Sequence, residues 1–247
     1  MAHVYNTDFF DYIDTGSRAS ARALIAAVQP WLRAESVADF GCGRGAWLAE
    51  WQDAGVEDVC GLDGDYVDRT QLAIPEIAFR PVDLTKPQDL GRRFDLAQSL
   101  EVGEHLPEGA AQTLVASMCA HADRIVFSAA VRGQGGEFHV NEQPLSFWQD
   151  LFAAHGYAAF DCIRPALAVN RAVEPWYRYN AVFYANRAGQ NGLPDDVLAS
   201  RVEGQVTDAG DLPWRLRKLV VSALPRPIVT SIAKGRAAVI ARRARKD

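Results

Sequence analysis

The stretch from Ser36 to Trp47, SVADFGCGRGAW, constrains the fold more than any other part of the chain. A short β-prone run, Ser36 to Phe40, leads into glycines at alternate positions, Gly41, Gly43 and Gly45. The helix formers Ala46, Trp47, Leu48, Ala49 and Glu50 follow at once. Strand, glycine turn and helix in succession make the ground plan of a nucleotide-type site. Glycine lets the backbone turn sharply and lets a ligand approach it closely, and the helix points its first free N–H groups at whatever sits there. Asp39 sets this turn apart. A carboxylate at the strand's end, two residues before the first glycine, suits a cationic group better than a pyrophosphate.

The 247 residues suffice for one large α/β domain with appendages. A hydrophobic fraction of 49% and a charged fraction of 23% are those of an ordinary globular protein. Cys42, Cys60, Cys119 and Cys162 form no C-x-x-C pair, which argues against a zinc ribbon or disulfide scaffold and fits a reducing cytoplasm. The opening MAHVYNTDFF lacks the basic-then-apolar layout of a signal peptide. No apolar run reaches the roughly 20 residues of a membrane span, since Leu219 to Ala233 is broken by Pro225, Arg226 and Pro227. A cytoplasmic protein is therefore expected. Its net charge of −5 is unevenly placed. From Leu212 onward there are ten basic residues and one acid, Asp247, a charge of +9 that leaves −14 on the body. So acidic a body excludes nucleic acid as an expected partner, because phosphate binding needs clustered Lys and Arg.

Residues 5–16 carry Tyr5, Phe9, Phe10, Tyr12 and Ile13, a pattern that covers a pocket or simply packs. A helix is predicted over 17–32, ending near Pro30, and another over about 45–54. Strands are predicted at 36–40, 58–62, 78–82, 94–100, 124–128, 157–163 and 179–185, with further helices at 108–121 and 144–155. Residues 164–176 read as an irregular insertion and 188–211 as a linker. Five strands alternating with helices imply a parallel sheet built from right-handed crossovers.

Gly41 to Ala46 also fits G-x-G-x-x-[G/A], the dinucleotide fingerprint, with Asp63 about twenty residues on. Asp39 stands against that alternative, and no second catalytic domain is visible. Asp39-Phe40-Gly41-Cys42-Gly43-Arg44-Gly45 resembles the D/E-x-G-x-G-x-G motif of class I S-adenosylmethionine-dependent methyltransferases. Asp63 resembles the acid after strand two that holds the ribose hydroxyls, and Asp83-Leu84 the pair after strand three that contacts adenine. The resemblance covers residues 36–130. It implies an α/β, Rossmann-like sheet of seven mainly parallel strands with helices on both faces, plus a helical C-terminal extension. It also implies S-adenosylmethionine as cofactor, held by Asp39, Gly41, Cys42, Gly43, Gly45, Asp63, Asp83, Leu84 and Ser99. The chemistry agrees, since this cofactor carries a sulfonium and an ammonium and no phosphate, so carboxylates belong at its site.

After strand four, Glu101, Glu104 and His105 stand at i, i+3 and i+4 and would share one face of a helical turn. His139 lies in the glycine-rich loop after strand five, beside the same sheet end. This E-x-x-E-H with a later histidine resembles the metal site of small-RNA 2′-O-methyltransferases, and its first part also resembles ubiquinone-pathway O-methyltransferases. The resemblance implies Glu101, Glu104, His105 and His139 as ligands of Mg or Mn, with His105, His139 and Glu101 as catalytic residues. An alcohol is a poor nucleophile until deprotonated, and either a histidine or a metal ion can assist. Metal- or histidine-assisted O-methylation of a sugar or other hydroxylated small molecule is the expected function. Methylation at nitrogen or carbon without metal, a non-catalytic cofactor-binding protein and a dehydrogenase are the alternatives.

Gly133, Gly135 and Gly136 suggest a lid, or a plain mobile loop, ahead of His139. Trp176, Tyr177 and Tyr179 either line a sugar site or belong to the core. The expected units are a methyltransferase domain over 1–187 with an N-terminal helical cap, the linker 188–211 and a basic amphipathic tail over 212–247. That tail suits peripheral contact with an anionic membrane, packing on the acidic body, or a homodimer.

Overall fold

A computed structural model of the protein describes residues 7–225, 228–231 and 235, with side chains from residue 16 onward. The expectations for the side chains of residues 5–13, and for the basic tail past residue 235, fall outside what is described.

Seven strands form one sheet: β1 (Ser36–Phe40), β2 (Asp58–Asp63), β3 (Phe79–Pro81), β4 (Leu96–Leu100), β5 (Arg124–Ser128), β6 (Ala158–Phe160) and β7 (Val182–Ala185). Their order is β3-β2-β1-β4-β5-β7-β6. The first five run parallel, and β7 inserts antiparallel between β5 and β6. Strand order reverses between β1 and β4, whose register sets Asp39 opposite Gln98. A crevice opens at the carboxyl ends of the strands at such a switch point, the usual ligand site of an open α/β sheet.

Side chains alternate across the sheet as the two-residue period requires. Val37, Val59, Val126 and Phe183 enter the core beneath α1 (Thr7–Leu32) and α2 (Ala46–Asp53). Ala38, Leu62, Phe127 and Tyr184 enter the opposite core, under α3 (Glu108–His121) and α4 (Leu145–Ala154). The seven-stranded, mainly parallel architecture is the expected one. The N-terminal helix docks on α2 through Glu50, a buried carboxylate that receives Arg18 at 3.0 Å and Arg22 at 2.8 Å.

Several boundaries differ from expectation, among them α1 starting at Thr7 rather than Ser17, β4 at Leu96 rather than Phe94, and β6 ending at Phe160 rather than Ile163. Helix α1 passes through Pro30 to Leu32, because a proline in the last turn removes a single backbone bond. Residues 164–176 are not irregular throughout: they contain most of α5 (Ile163–Leu167) and the start of α6 (Pro175–Asn180). Strand seven starts only at Val182, since Tyr179 and Asn180 close α6. The segment 188–211 is no free linker either. It carries α7 (Asp195–Ala199), buries Leu193, Val197 and Val206, and donates from Val202 N–H to the Ala159 carbonyl at 3.0 Å. Helix α8 (Leu212–Ser222) buries Trp214 and Lys218 against the body.

Candidate active site

The first half of the site is the glycine turn. Gly41 and Cys42 N–H both donate to the Leu62 carbonyl, at 2.7 and 3.1 Å, and so fold the chain back over β2. Gly41 has φ +95°, and a Cβ there would stand 2.3 Å from Val102 Cγ2, so only glycine fits. Asp39 is 2% exposed. Its Oδ2 accepts from Gln98 Nε2 at 2.9 Å, and Gln98 Oε1 in turn accepts from Trp51 Nε1 at 2.9 Å. Burial lifts its carboxyl from 3.8 to about 7, with the Gln98 hydrogen bond opposing and the charge of Asp63 assisting. Asp63 is buried as well, and its Oδ2 accepts from Gly43 N–H at 2.7 Å. Its Oδ1 accepts from Gly64 N–H at 2.6 Å and from the Tyr66 hydroxyl at 2.5 Å. Burial raises the carboxyl of Asp63 too, against the pull of these three donors.

Asp39, Gly41, Cys42, Gly43, Gly45 and Asp63 thus gather around one turn. Cys42 is a buried thiol, its Sγ so close to Gly61 that a Cβ there would lie 2.7 Å away. Asp83 and Leu84 stand at the outer edge, beyond β3. Asp83 is exposed, and its Oδ1 accepts from Thr85 N–H at 3.0 Å and Thr85 Oγ1 at 2.6 Å, bonds that hold it below the usual carboxylate range. Leu84 is buried in the core. Ser99 is fully buried and donates to the Phe40 carbonyl at 2.7 Å, tying β4 to β1.

The second half begins where β4 ends. Glu101 takes the left-handed conformation, φ +59°, while its N–H donates to the Ser128 carbonyl at 3.0 Å. This turn removes Glu101 from the helical face on which i, i+3, i+4 spacing would set it with Glu104 and His105. Those two occupy a 3-10 turn, Gly103–His105. Glu101 Oε2 instead accepts from Gln134 Nε2 at 2.5 Å, and Gln134 Oε1 accepts from Asn180 Nδ2 at 2.7 Å. Its other oxygen, Oε1, is buried without a hydrogen-bond partner among the described residues.

Glu104 is 0% exposed, and both of its carboxylate oxygens lack a hydrogen-bond partner among the described residues. Burial, and then the nearby charge of Glu101, push its carboxyl well above the ordinary range. The Glu104 carbonyl accepts from Val140 N–H at 2.8 Å and Asn141 N–H at 3.0 Å, which brings the loop bearing His139 onto the turn. His139 Nε2 lies 4.0 Å from Glu104 Oε1, and the rings of His105 and His139 meet edge to face at 4.9 Å. One ligand atom from each of Glu104, His105 and His139 falls within 4.8 Å of the others. Three of the four predicted metal-binding residues therefore converge, while Glu101, near enough for its charge to act on Glu104, spends one oxygen on Gln134.

The second-half residues that sequence reasoning missed are Glu142, Gln134 and Asn180. Glu142 Oε1 pairs with His139 Nδ1 at 2.9 Å, and its carboxylate also takes the N–H groups of Gly133 at 2.9 Å and Gly135 at 2.8 Å. Burial alone would raise Glu142, but the His139 hydrogen bond and charge and the two N–H donors hold it low. The glutamate three residues after His139 was the available signal. Gln134 and Asn180 had none. The loop read as a lid or a plain mobile loop is fastened at Gly133 and Gly135 by Glu142. The aromatic segment packs as core: Tyr177 meets Trp47 edge to face at 5.0 Å and shares a 3.2 Å hydrogen bond with Ser17, while Tyr179 lies 5.9 Å from Trp214.

A carboxylate with no hydrogen-bond partner among the described residues and two imidazoles are a donor set for a cation. A divalent ion of the Mn²⁺ or Zn²⁺ type accepts mixed imidazole and carboxylate ligands. The second imidazole nitrogen of His139 being held by a carboxylate is the usual outer support of a metal-binding histidine.

Residues 12–159, more than half of the chain, match the family described as "Methyltransferase domain". The structure resembles the sugar N-methyltransferase KedS8 from Streptoalloteichus at 15% identity and a TM-score of 0.55, over 76% of this chain and 95% of that one. It resembles an O-methyltransferase family protein from Burkholderia thailandensis at 12% identity and a TM-score of 0.54, over 72% of this chain and 57% of that one. Magnesium protoporphyrin IX methyltransferase from Synechocystis, solved with bound S-adenosylhomocysteine, gives 17% identity and a TM-score of 0.50, over 75% of this chain and 90% of that one. No curated protein matches the chain.

Proposed function

Since the chain belongs to the methyltransferase-domain family, we propose that it transfers a methyl group from S-adenosylmethionine to a hydroxyl oxygen of a sugar or other small molecule. In this proposal Glu104, His105 and His139 hold a divalent cation beside the acceptor. The observation that carries the metal-assisted reading is Glu104: a carboxylate out of solvent, with neither oxygen hydrogen-bonded, lying among two histidines. Burying such a charge is costly unless a cation compensates it.

The cofactor half fits the same proposal. Two buried carboxylates, Asp39 and Asp63, flank the glycine turn, which suits a ligand bearing ammonium and hydroxyl groups and no phosphate. S-Adenosylmethionine supplies an already activated methyl, so the protein's main task is alignment. Asp63 orients the ribose hydroxyls and Asp39 sets the negative field that favours the cationic ligand. A divalent cation held by Glu104, His105 and His139 would lower the pKa of an acceptor hydroxyl. Glu142 receives the Nδ1–H of His139, which fixes the tautomer and leaves the Nε2 lone pair toward Glu104. Glu101, with Oε2 held by Gln134, uses its unpartnered Oε1 to accept the hydroxyl proton as the methyl leaves.

The test pairs methyl-transfer assays over a panel of hydroxylated acceptors with Mn²⁺ titration of the protein. Product mass and fragmentation should place the methyl on oxygen. Chelation should lower turnover at least about tenfold. A methyl found on nitrogen or carbon overturns the O-transfer proposal. Turnover that chelation changes by less than about twofold, with no Mn²⁺ binding, overturns the metal.

A further inference from the structure

Helix α8 shows its two faces to different surroundings. Its inner face carries Trp214, Arg217, Lys218 and Val221. Trp214 and Lys218 are buried, and Lys218 Nζ pairs with Asp208. Arg217 donates to the Gln134 carbonyl at 2.6 Å, and a Cβ on Gly133 would stand 2.6 Å from the Lys218 carbonyl. The inner face is therefore seated on the loop that carries Gln134 and leads to His139.

The outer face is apolar and open. Leu212, Leu216, Leu219 and Val220 are 79%, 59%, 68% and 55% exposed. They stand at i, i+4, i+7 and i+8, the spacing of one helical stripe. Such large side chains aligned in solvent mark an interaction surface. Ile228, in the short helical piece beyond, is also among the exposed large hydrophobic residues.

We infer that this outer stripe of α8 docks on an anionic lipid surface. The charge of the segment selects that occupant. From Leu212 to the end, ten basic residues stand against one acid, while the rest of the chain is strongly acidic. A second copy of the chain seated on the stripe would bring two such basic segments together, at a cost in repulsion. A nucleic acid would use the arginines and leave the leucines in water. Apolar side chains and excess positive charge together are what the interface of an anionic bilayer accepts. No described helix is long and apolar enough to cross a membrane, so α8 would lie on the surface. Because its inner face holds the loop at Gln134, docking would set one wall of the active site toward the bilayer. This inference does not depend on the acceptor or the metal.

Flotation of the full chain with phosphatidylcholine vesicles, with and without phosphatidylglycerol, tests it. Recovery is expected only with the anionic lipid, falling as salt is added. The variant Leu216→Glu/Leu219→Glu should lose recovery by at least about tenfold while keeping its melting temperature, since both side chains point into solvent. No capture by anionic vesicles, or equal capture of the variant, overturns the inference. So does light scattering that shows a lipid-free dimer which the same variant dissociates, because the stripe would then be covered by a second copy.

Discussion

Replacing Asp39 by asparagine separates what the buried carboxylate costs the fold from what it does for a ligand. The site of substitution is almost out of solvent, and burial lifts its carboxyl from 3.8 to about 7. A raised carboxyl binds its proton more tightly in the folded chain than in the unfolded one. Its contribution to stability is thus fully present below about pH 4, declines as pH rises, and is lost once pH passes about 7. The gap between 3.8 and about 7 corresponds to about 4 kcal/mol. Asparagine is neutral at every pH, keeps an oxygen for Gln98 Nε2, and leaves the Gln98 to Trp51 link in place. The stability of Asp39→Asn relative to the natural protein should therefore climb with pH, from about 2 kcal/mol at pH 5 to about 4 kcal/mol at pH 8, on top of a constant offset. Urea denaturation of the ligand-free protein, followed by tryptophan fluorescence over that range, measures the difference. Affinity for S-adenosylhomocysteine should fall at least about tenfold in the same variant, because its ammonium loses a carboxylate. A stability difference that stays flat between about pH 5 and about pH 8 would refute the reasoning, since the carboxylate would then ionise as it does in water.

Gly41→Ala should lower stability by about 2–4 kcal/mol in thermal or chemical denaturation, because alanine is strained at φ +95° and its Cβ would overlap Val102. Glu104→Gln should stabilise the metal-free protein at neutral pH by removing a buried carboxyl that resists ionising, and should weaken Mn²⁺ binding at least about tenfold by calorimetry. Glu142→Ala should weaken the same binding by about 10- to 100-fold while leaving all three proposed ligands in place, since His139 loses the carboxylate that orients it. Unchanged Mn²⁺ affinity in Glu142→Ala would mean that His139 is held by the loop alone.

The glycine turn was legible because its constraints are local. Three glycines within five residues, a strand before them and a helix after them leave few backbone paths, and the acids Asp39 and Asp63 sit at ends of adjacent strands. Asp83 was legible as a strand-end acid, yet its exposure depends on how the chain leaves β3 and on Thr85 capturing its oxygen. E-x-x-E-H could be read as a set of chemically apt residues. Its division could not, because Glu101 turns away only through a left-handed φ supported by Ser128 on another strand. The errors at 164–185 have a similar origin. Tyr179 and Asn180 read as the start of a strand when apolar period alone is consulted, yet they close a helix in which Tyr179 packs against Trp214. Residues 188–211 read as a linker because only a few of them are apolar, and those few, Leu193, Val197 and Val206, insert into the body.

By itself, then, the sequence determined the doubly covered parallel sheet and the two acids at its switch point, because strand ends, glycine turns and alternation depend on neighbouring residues. Only the tertiary structure decided which charges lack partners and which helix seals the loop. Glu104 is buried and bonded through its carbonyl to the loop at Val140 and Asn141, His139 is oriented by Glu142, and α8 presents leucines to solvent because its other face is anchored by Trp214. Burial and partner choice are set by segments far apart in the chain, and no local pattern encodes them.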